Sequence, residues 1–307
     1  MIYAGTIGEG LWRSDDLGRT WLPEPGVPGA AKIYALAGSP DGGQLYAGAE
    51  GGVYRRDGRM WSSLPLPSPE LQVWALGIHP REPSTILAGC RPLALLISED
   101  GGKHWSSLPL SLPGGTPEPH TPRVTTVLFD SAEPETALVG VEVGGVFVTR
   151  DRGWTWVAIN RDFPSLDIHA LALAGDRTLL AATPRGVAVY GGGRWTTADS
   201  ESPDRYFRAL VSRPGDAGTL YAGLGNGPPG TRGSVLVSTD NGRSWRQTGF
   251  PGAGSSVWSL AADPREPGLL VAAAIKGEIF TSPDGGHSWV QAPRTFAELR
   301  AVALTPP

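Results

Sequence analysis

Along the whole chain, short apolar stretches alternate with clusters of Gly, Pro, Ser and Asp, and no segment sustains the period of a helix. The stretch from Tyr206 to Gly249 shows the unit most clearly. It predicts four strands: A, Tyr206 to Ser212 (YFRALVS); B, Thr219 to Gly225 (TLYAGLG); C, Gly233 to Thr239 (GSVLVST); and D, Ser244 to Gly249 (SWRQTG). Its C–D turn reads STDNGRSW, and the same offsets return at Ser14/Asp16/Gly18/Trp21, Ser98/Asp100/Gly102/Trp105, Thr149/Asp151/Gly153/Trp156 and Ser282/Asp284/Gly286/Trp289. RRDGRMW keeps Asp57, Gly58 and Trp61, and YGGGRW keeps the glycines and Trp195. The seven tryptophans mark seven units of roughly 40 to 50 residues, a period typical of propellers. Each part of the signature has a structural task. The glycine takes a positive φ that other residues resist, and the short Ser and Asp side chains bond backbone N–H groups where the strands part. The Trp buries a large ring between neighbouring sheets. A residue needed in every repeat serves the architecture, so Asp16, Asp100, Asp151, Asp240 and Asp284 are read as scaffold.

Four-stranded units of this length around an axis are the blades of a propeller, which leaves only short sheet edges. The first unit begins at strand B (IYAG) and lacks a strand A, while Leu299 to Leu304 (LRAVAL), after the last strand D, matches the strand A patterns VWALGI, IHALAL and FRALVS. The expectation is an all-β, seven-bladed propeller in one domain, 1–307, whose first blade combines 1–24 with 297–307. The signature turns then point to one face, the bottom, and the B–C and D–A loops to the top. Three insertions fall in top loops: Pro109 to Pro122, Asp199 to Arg205, and Asn226 to Arg232. Insertions confined to one rim mark the binding face.

Composition narrows the classes without choosing a function. A net charge of −4, with no basic run interleaved with aromatics, argues against a nucleic-acid partner. Cys90 is the only cysteine, which excludes an internal disulfide and a cysteine-based metal site. It reads as a small residue plugging a sheet end, with a reactive thiol as the alternative. No apolar run has the length of a membrane span, and MIYAGT opens as a strand, not a leader, so the expected location is cytoplasmic and the expected state monomeric.

Aligned strand A starts put one structural position at Tyr34, Trp74, Thr125, His169, Arg208, Trp258 and Arg300, predicted to ring the top mouth of the axial channel. The position that follows, Leu36, Leu76, Val127, Leu171, Leu210, Leu260 and Val302, repeats one residue type, as packing requires. The ring position does not repeat. Three aromatics, two arginines and a histidine suit a ligand with apolar and anionic parts. Arg91 and Arg123 join this ligand-binding set, and arginine forks such as those of Arg91, Arg208 and Arg300 match a carboxylate or phosphate. Strand B ends add Glu9, Glu50, Glu142, Arg185, Lys276 and Glu278 to the rim. Glu50 and Glu142 form a candidate acid–base pair for glycoside hydrolysis, against the reading of solvated loop carboxylates. His169 beside Asp167 is a further candidate base. His79, His104 and His287 fall in bottom loops and His120 in an insertion, so no metal site is expected, and no cofactor fingerprint occurs.

The boxes STDNGRSW, SEDGGKHW and SPDGGHSW, with VEVGGVFVTRDRG (Val141 to Gly153), resemble the Asp-box (BNR) repeat propellers over essentially the whole chain. That superfamily includes sialidases, xyloglucan-active hydrolases, sortilin-type receptors and photosystem II assembly factors, so the resemblance implies a fold far more than an activity. Sialidases have six blades and an Arg-Ile-Pro stretch that this chain lacks. Xyloglucan-active relatives join two seven-bladed domains around a cleft with paired aspartates. The assembly factors are nearest in plan, being single and seven-bladed; they bind protein through an arginine-rich surface and normally carry an export signal. Two functions are therefore expected: a non-enzymatic binding or assembly scaffold whose top face takes a peptide, a protein or a small acidic ligand, or a carbohydrate hydrolase or lyase using Glu50, Glu142 or Asp167, with Tyr34, Trp74 and Trp258 stacking on sugars.

Overall fold

The computed structural model describes residues 1–39, 42–58, 60–112, 115 and 119–305. It contains seven antiparallel sheets in a ring, and no helix occurs among the described residues. Each sheet is one blade with strand A innermost. The unit at Tyr206 forms as expected, with strands Tyr206–Arg213, Asp216–Gly225, Gly233–Ser238 and Ser244–Gln247. The ring closes by Glu298–Leu304 pairing antiparallel with Ile2–Ile7, from Ile2 opposite Leu304 to Ile7 opposite Glu298. Residues 306 and 307 lie outside the described residues, as do 113, 114 and 116–118 of the first insertion.

The core is divided among the seams. Seven clusters of buried apolar residues each join two adjacent blades, and each includes one signature tryptophan, such as Trp245 against Leu180 and Ala182 of the preceding blade. At the bottom, Gly18, Gly102, Gly153, Gly242 and Gly286 all hold φ between 80 and 96°. Ser238 Oγ accepts the N–H of Gly242 (2.9 Å) and donates to Asp240 Oδ1 (2.7 Å), which accepts the N–H groups of Arg243 and Ser244 (both 3.0 Å). Asp16 repeats this with Ser14, Gly18 and Thr20. His79 also has a bottom role, its Nδ1 accepting the N–H groups of Arg81 and Glu82 (3.3 and 3.0 Å).

Close blade contact depends on a glycine in strand B. A Cβ on Gly48 would lie 2.7 Å from Val73 Cγ1 of the next blade, and one on Gly89 would lie 2.4 Å from Val124 Cγ1. Gly5 against Ile33, Gly140 against Ile168 and Gly223 against Val257 repeat the fit. The recurring Ala-Gly or Val-Gly of strand B is thus the imprint of the neighbouring blade's first strand.

One insertion departs from expectation. Asp199–Ser200 pairs in parallel with Ser244–Trp245 as a fifth, outermost strand of the next blade, because the chain leaving one blade's edge passes along the open edge of its neighbour. The rest of that segment meets the Asn226 loop, where Arg232 holds Asp204 with two bonds of 2.6 and 2.7 Å.

Candidate functional site at the channel mouth

In six blades, strand A carries a register shift at the ring position. Ile33 faces Ala49 and Ala35 faces Gly48, which leaves Tyr34 without a partner on strand B. The same shift isolates Trp74, Thr125, Arg208, Trp258 and Arg300. A bulge adds one residue and re-aims its side chain, here toward the axis. His169 holds the equivalent place just before its strand A, which begins at Ala170. All seven side chains line one axial cavity of about 240 Å³, together with residues from Leu36, Leu76, Val127, Leu210, Leu260 and Val302 below them.

Aromatic and guanidinium planes stack on one another around this mouth. Trp74 is flanked by Tyr34 from the preceding blade (4.5 Å between rings, 25° between planes) and by the Arg123 guanidinium from the following blade (3.9 Å). Trp258 is flanked by Arg208 (3.6 Å) and Arg300 (4.7 Å), and Arg300 also reaches Trp74 (5.3 Å). Cation–π contact holds the guanidinium groups in fixed planes. The tryptophan faces are occupied by these neighbours, which leaves less ring surface for a sugar than the sequence suggests.

The electrostatics are lopsided. Arg123 donates to Glu142 (2.6 Å), and Arg300 pairs with Glu298. Arg208, only 7% exposed, is in no salt bridge among the described residues. The buried Nε atoms of Arg123, Arg208 and Arg300 have no hydrogen-bond partner among the described residues. Burial pulls Arg208 down to about 10, with Arg123 and Arg300 acting in the same sense and Glu142 against them. Burial also lowers Arg123, where Arg300 and Arg91 add to the effect and Glu142 opposes it. Unpaired buried donors carry a desolvation cost that an incoming anion would relieve.

His169 is buried, with Nδ1 2.5 Å from the Phe207 carbonyl oxygen and Nε2 3.4 Å from Asp167 Oδ1. The Phe207 contact places the proton on Nδ1. Burial first, then the charge of Arg208, push the imidazole below its ordinary value despite Asp167. Burial raises the Asp167 carboxyl, but His169 and the charges of Arg208 and Arg123 outweigh it and hold the group low. Glu50 stands apart from this set, paired with Lys32 (3.1 Å), and Glu9 lies near Arg294 (3.9 Å). Arg91 is not part of the cavity wall, although its charge bears on Arg123 and Tyr34. Cys90 is fully buried, and burial pushes its thiol up to about 12, which favours the plug over the reactive thiol.

Sequence reasoning missed Tyr206, whose ring lies 4.9 Å from His169 and 5.8 Å from the Arg208 guanidinium, and Glu298, the partner of Arg300. Both lie two residues before a ring position, the same side of an extended strand, and that spacing was the available signal.

No family model matches the chain. It is 27% identical over 237 residues to the oligoxyloglucan-reducing end-specific xyloglucanase of Emericella nidulans, a match that covers 70% of this chain and 26% of that enzyme. The chain thus spans about a quarter of the length of the curated relative it matches. Among solved structures, it is similar to YCF48 bound to D1 peptide, with a TM-score of 0.60, 19% identity and coverage of 87% of this chain and 86% of the other. It is also similar to an ancestral GH74 enzyme, with a TM-score of 0.65, 15% identity and coverage of 91% and 39%. At these identities the structural likenesses establish the shared propeller fold.

Proposed function

We propose that this protein is a non-catalytic binding scaffold that grips a peptide carboxylate at the channel mouth. The observation that carries this reading is the ring of guanidinium groups clamped against Trp74 and Trp258, with buried donors left unpartnered. A carboxylate entering the mouth meets forked donors already fixed in orientation, so little side-chain freedom is lost on binding. The likeness to a propeller solved with a bound peptide supports such a use of the fold. The test is a fluorescence-anisotropy titration of a labelled glutamate-containing peptide against the wild type, Trp74→Ala and Arg208→Leu. Binding that weakens about tenfold or more in both variants is expected; indifference to both changes would overturn the reading.

The second reading is a carbohydrate hydrolase, favoured by the identity to a xyloglucanase. It assigns acid–base work to Glu142, Asp167 or Glu50, and each of these faces a cationic group or His169 instead of another carboxylate. A chromogenic glycoside screen decides it: turnover that disappears in Glu142→Gln would replace the scaffold reading.

A further inference from the structure

The mouth does not end at the axial cavity. A second cavity of about 540 Å³ adjoins it and shares Trp258 and Arg300 as its inner wall. Its apolar walls are Pro228, Pro229, Ile275, Phe296 and Ala297, with Lys276 and the Arg300 partner Glu298 at its polar edges. The groove is built on bonded backbone: Ser256 N–H donates to the Pro229 carbonyl (2.9 Å), Leu299 N–H to Ile275 (3.0 Å) and Phe296 N–H to Gly277 (3.0 Å). Phe296 is fixed from behind by edge contacts with Trp12 (5.8 Å) and Trp21 (5.1 Å). Lys276 reaches across the outer rim to the Gly230 carbonyl (3.1 Å) and ties the Asn226 insertion to the last blade. The result is a preformed apolar slot directly beside an anion-seeking mouth, with one Arg–Trp pair serving both.

We propose that this groove is a specificity pocket for a bulky apolar side chain, one or two residues from the acidic residue held at the mouth, in an extended peptide. The proposal rests on the carboxylate-binding reading of the mouth. Its occupant follows from continuity. A peptide whose carboxylate sits against Arg208 and Arg300 must pass Trp258, and the next side chain long enough to turn outward meets Ile275, Phe296 and the two prolines. A free anion would leave this slot filled only by water, and a wholly apolar ligand would leave the arginines unanswered. Acidic and apolar groups on one short segment satisfy both.

The probes are fluorescein-labelled peptides in a Gly/Ser background, with Glu and Phe one or two positions apart in either order, and controls with Gly for Phe or Gln for Glu. In at least one arrangement the Phe peptide binds the wild type about tenfold or more tighter than its Gly control. Ala297 is exposed on the groove wall, so Ala297→Phe fills the groove, and it cuts that preference to about twofold or less while leaving the Gly control unchanged. Ala297→Asp, checked for folding by its urea midpoint, acts in the same direction. Equal binding of Phe and Gly peptides, or a preference that survives Ala297→Phe, overturns the groove while the Gln controls and Arg208→Leu still report on the mouth. If no acidic peptide binds, the mouth reading and the groove fall together.

Discussion

The two poles of the propeller use the same repeat in opposite ways. At the bottom, each full signature turn repeats one set of bonds, Ser or Thr Oγ to the glycine N–H and Asp to the residues that follow, as at Ser14/Asp16 and Thr149/Asp151. At the top, one bulged position repeats in backbone and differs in side chain: Tyr34, Trp74, Thr125, Arg208, Trp258 and Arg300. The signature hydroxyls and carboxylates at one end are bonded within their own turns, although Trp105 Nε1, Trp156 Nε1, His79 Nε2 and Asn241 Oδ1 there are buried without a partner among the described residues; at the other end the buried Nε atoms of Arg123, Arg208 and Arg300 lack one as well. The repeated bonds belong to the frame, and the ring side chains are free to differ without disturbing it.

This contrast is open to direct attack. The largest effect is expected where the frame itself is overfilled: Gly89→Val drives a side chain into Val124 and should lower stability by about 3 kcal/mol or more, seen as a large drop in the urea midpoint. Next comes the bottom turn. Ser238 is buried and its hydroxyl accepts the Gly242 N–H, so Ser238→Ala should cost about 1–3 kcal/mol in the same assay without altering ligand affinity. At the top, Trp74→Ala removes the platform under Arg123 and Arg300 and should weaken a glutamate peptide about tenfold. The signature aspartates supply a pH test. Side-chain bonds from Thr20, Thr155 and Ser288 hold Asp16, Asp151 and Asp284 at about 2, below the ordinary 3.8. A lowered folded-state value stabilises the protein above about pH 4, and that contribution disappears as the pH falls toward 2. These groups are open to water, so each contributes a small increment; Asp16→Asn should make the fall in urea midpoint between pH 5 and pH 2 measurably shallower. The smallest effect belongs to Glu50→Gln, an exposed ion pair with Lys32, which should change stability by less than about 0.5 kcal/mol.

Much of this architecture is readable from the chain, because repetition averages out local ambiguity. The strand A pattern at Leu299 to Leu304 and the missing strand A of the first unit point to ring closure, and the register between Ile2 and Leu304 bears it out. Alignment also selects the ring residues, since a bulge conserves backbone position whatever side chain it carries. What alignment does not reveal is which ring residue touches which. The clamping of Trp258 between Arg208 and Arg300, and the turn of Asp199–Ser200 onto a neighbouring blade's edge, depend on contacts between blades. A pattern within one repeat does not encode them. Nor does spacing show that Glu50 and Glu142 each face a basic partner, Lys32 and Arg123.

The central expectation is that Arg208 is kept buried for a ligand and not for the fold. Burial disfavours its charge and its guanidinium stacks on Trp258, so an apolar replacement of similar reach removes a cost along with a contact. The urea unfolding midpoint of Arg208→Leu at pH 7 is the most direct measurement. A midpoint equal to or above that of the wild type is predicted; a fall as large as that of Ser238→Ala would contradict the claim and make Arg208 a structural residue like those at the opposite pole.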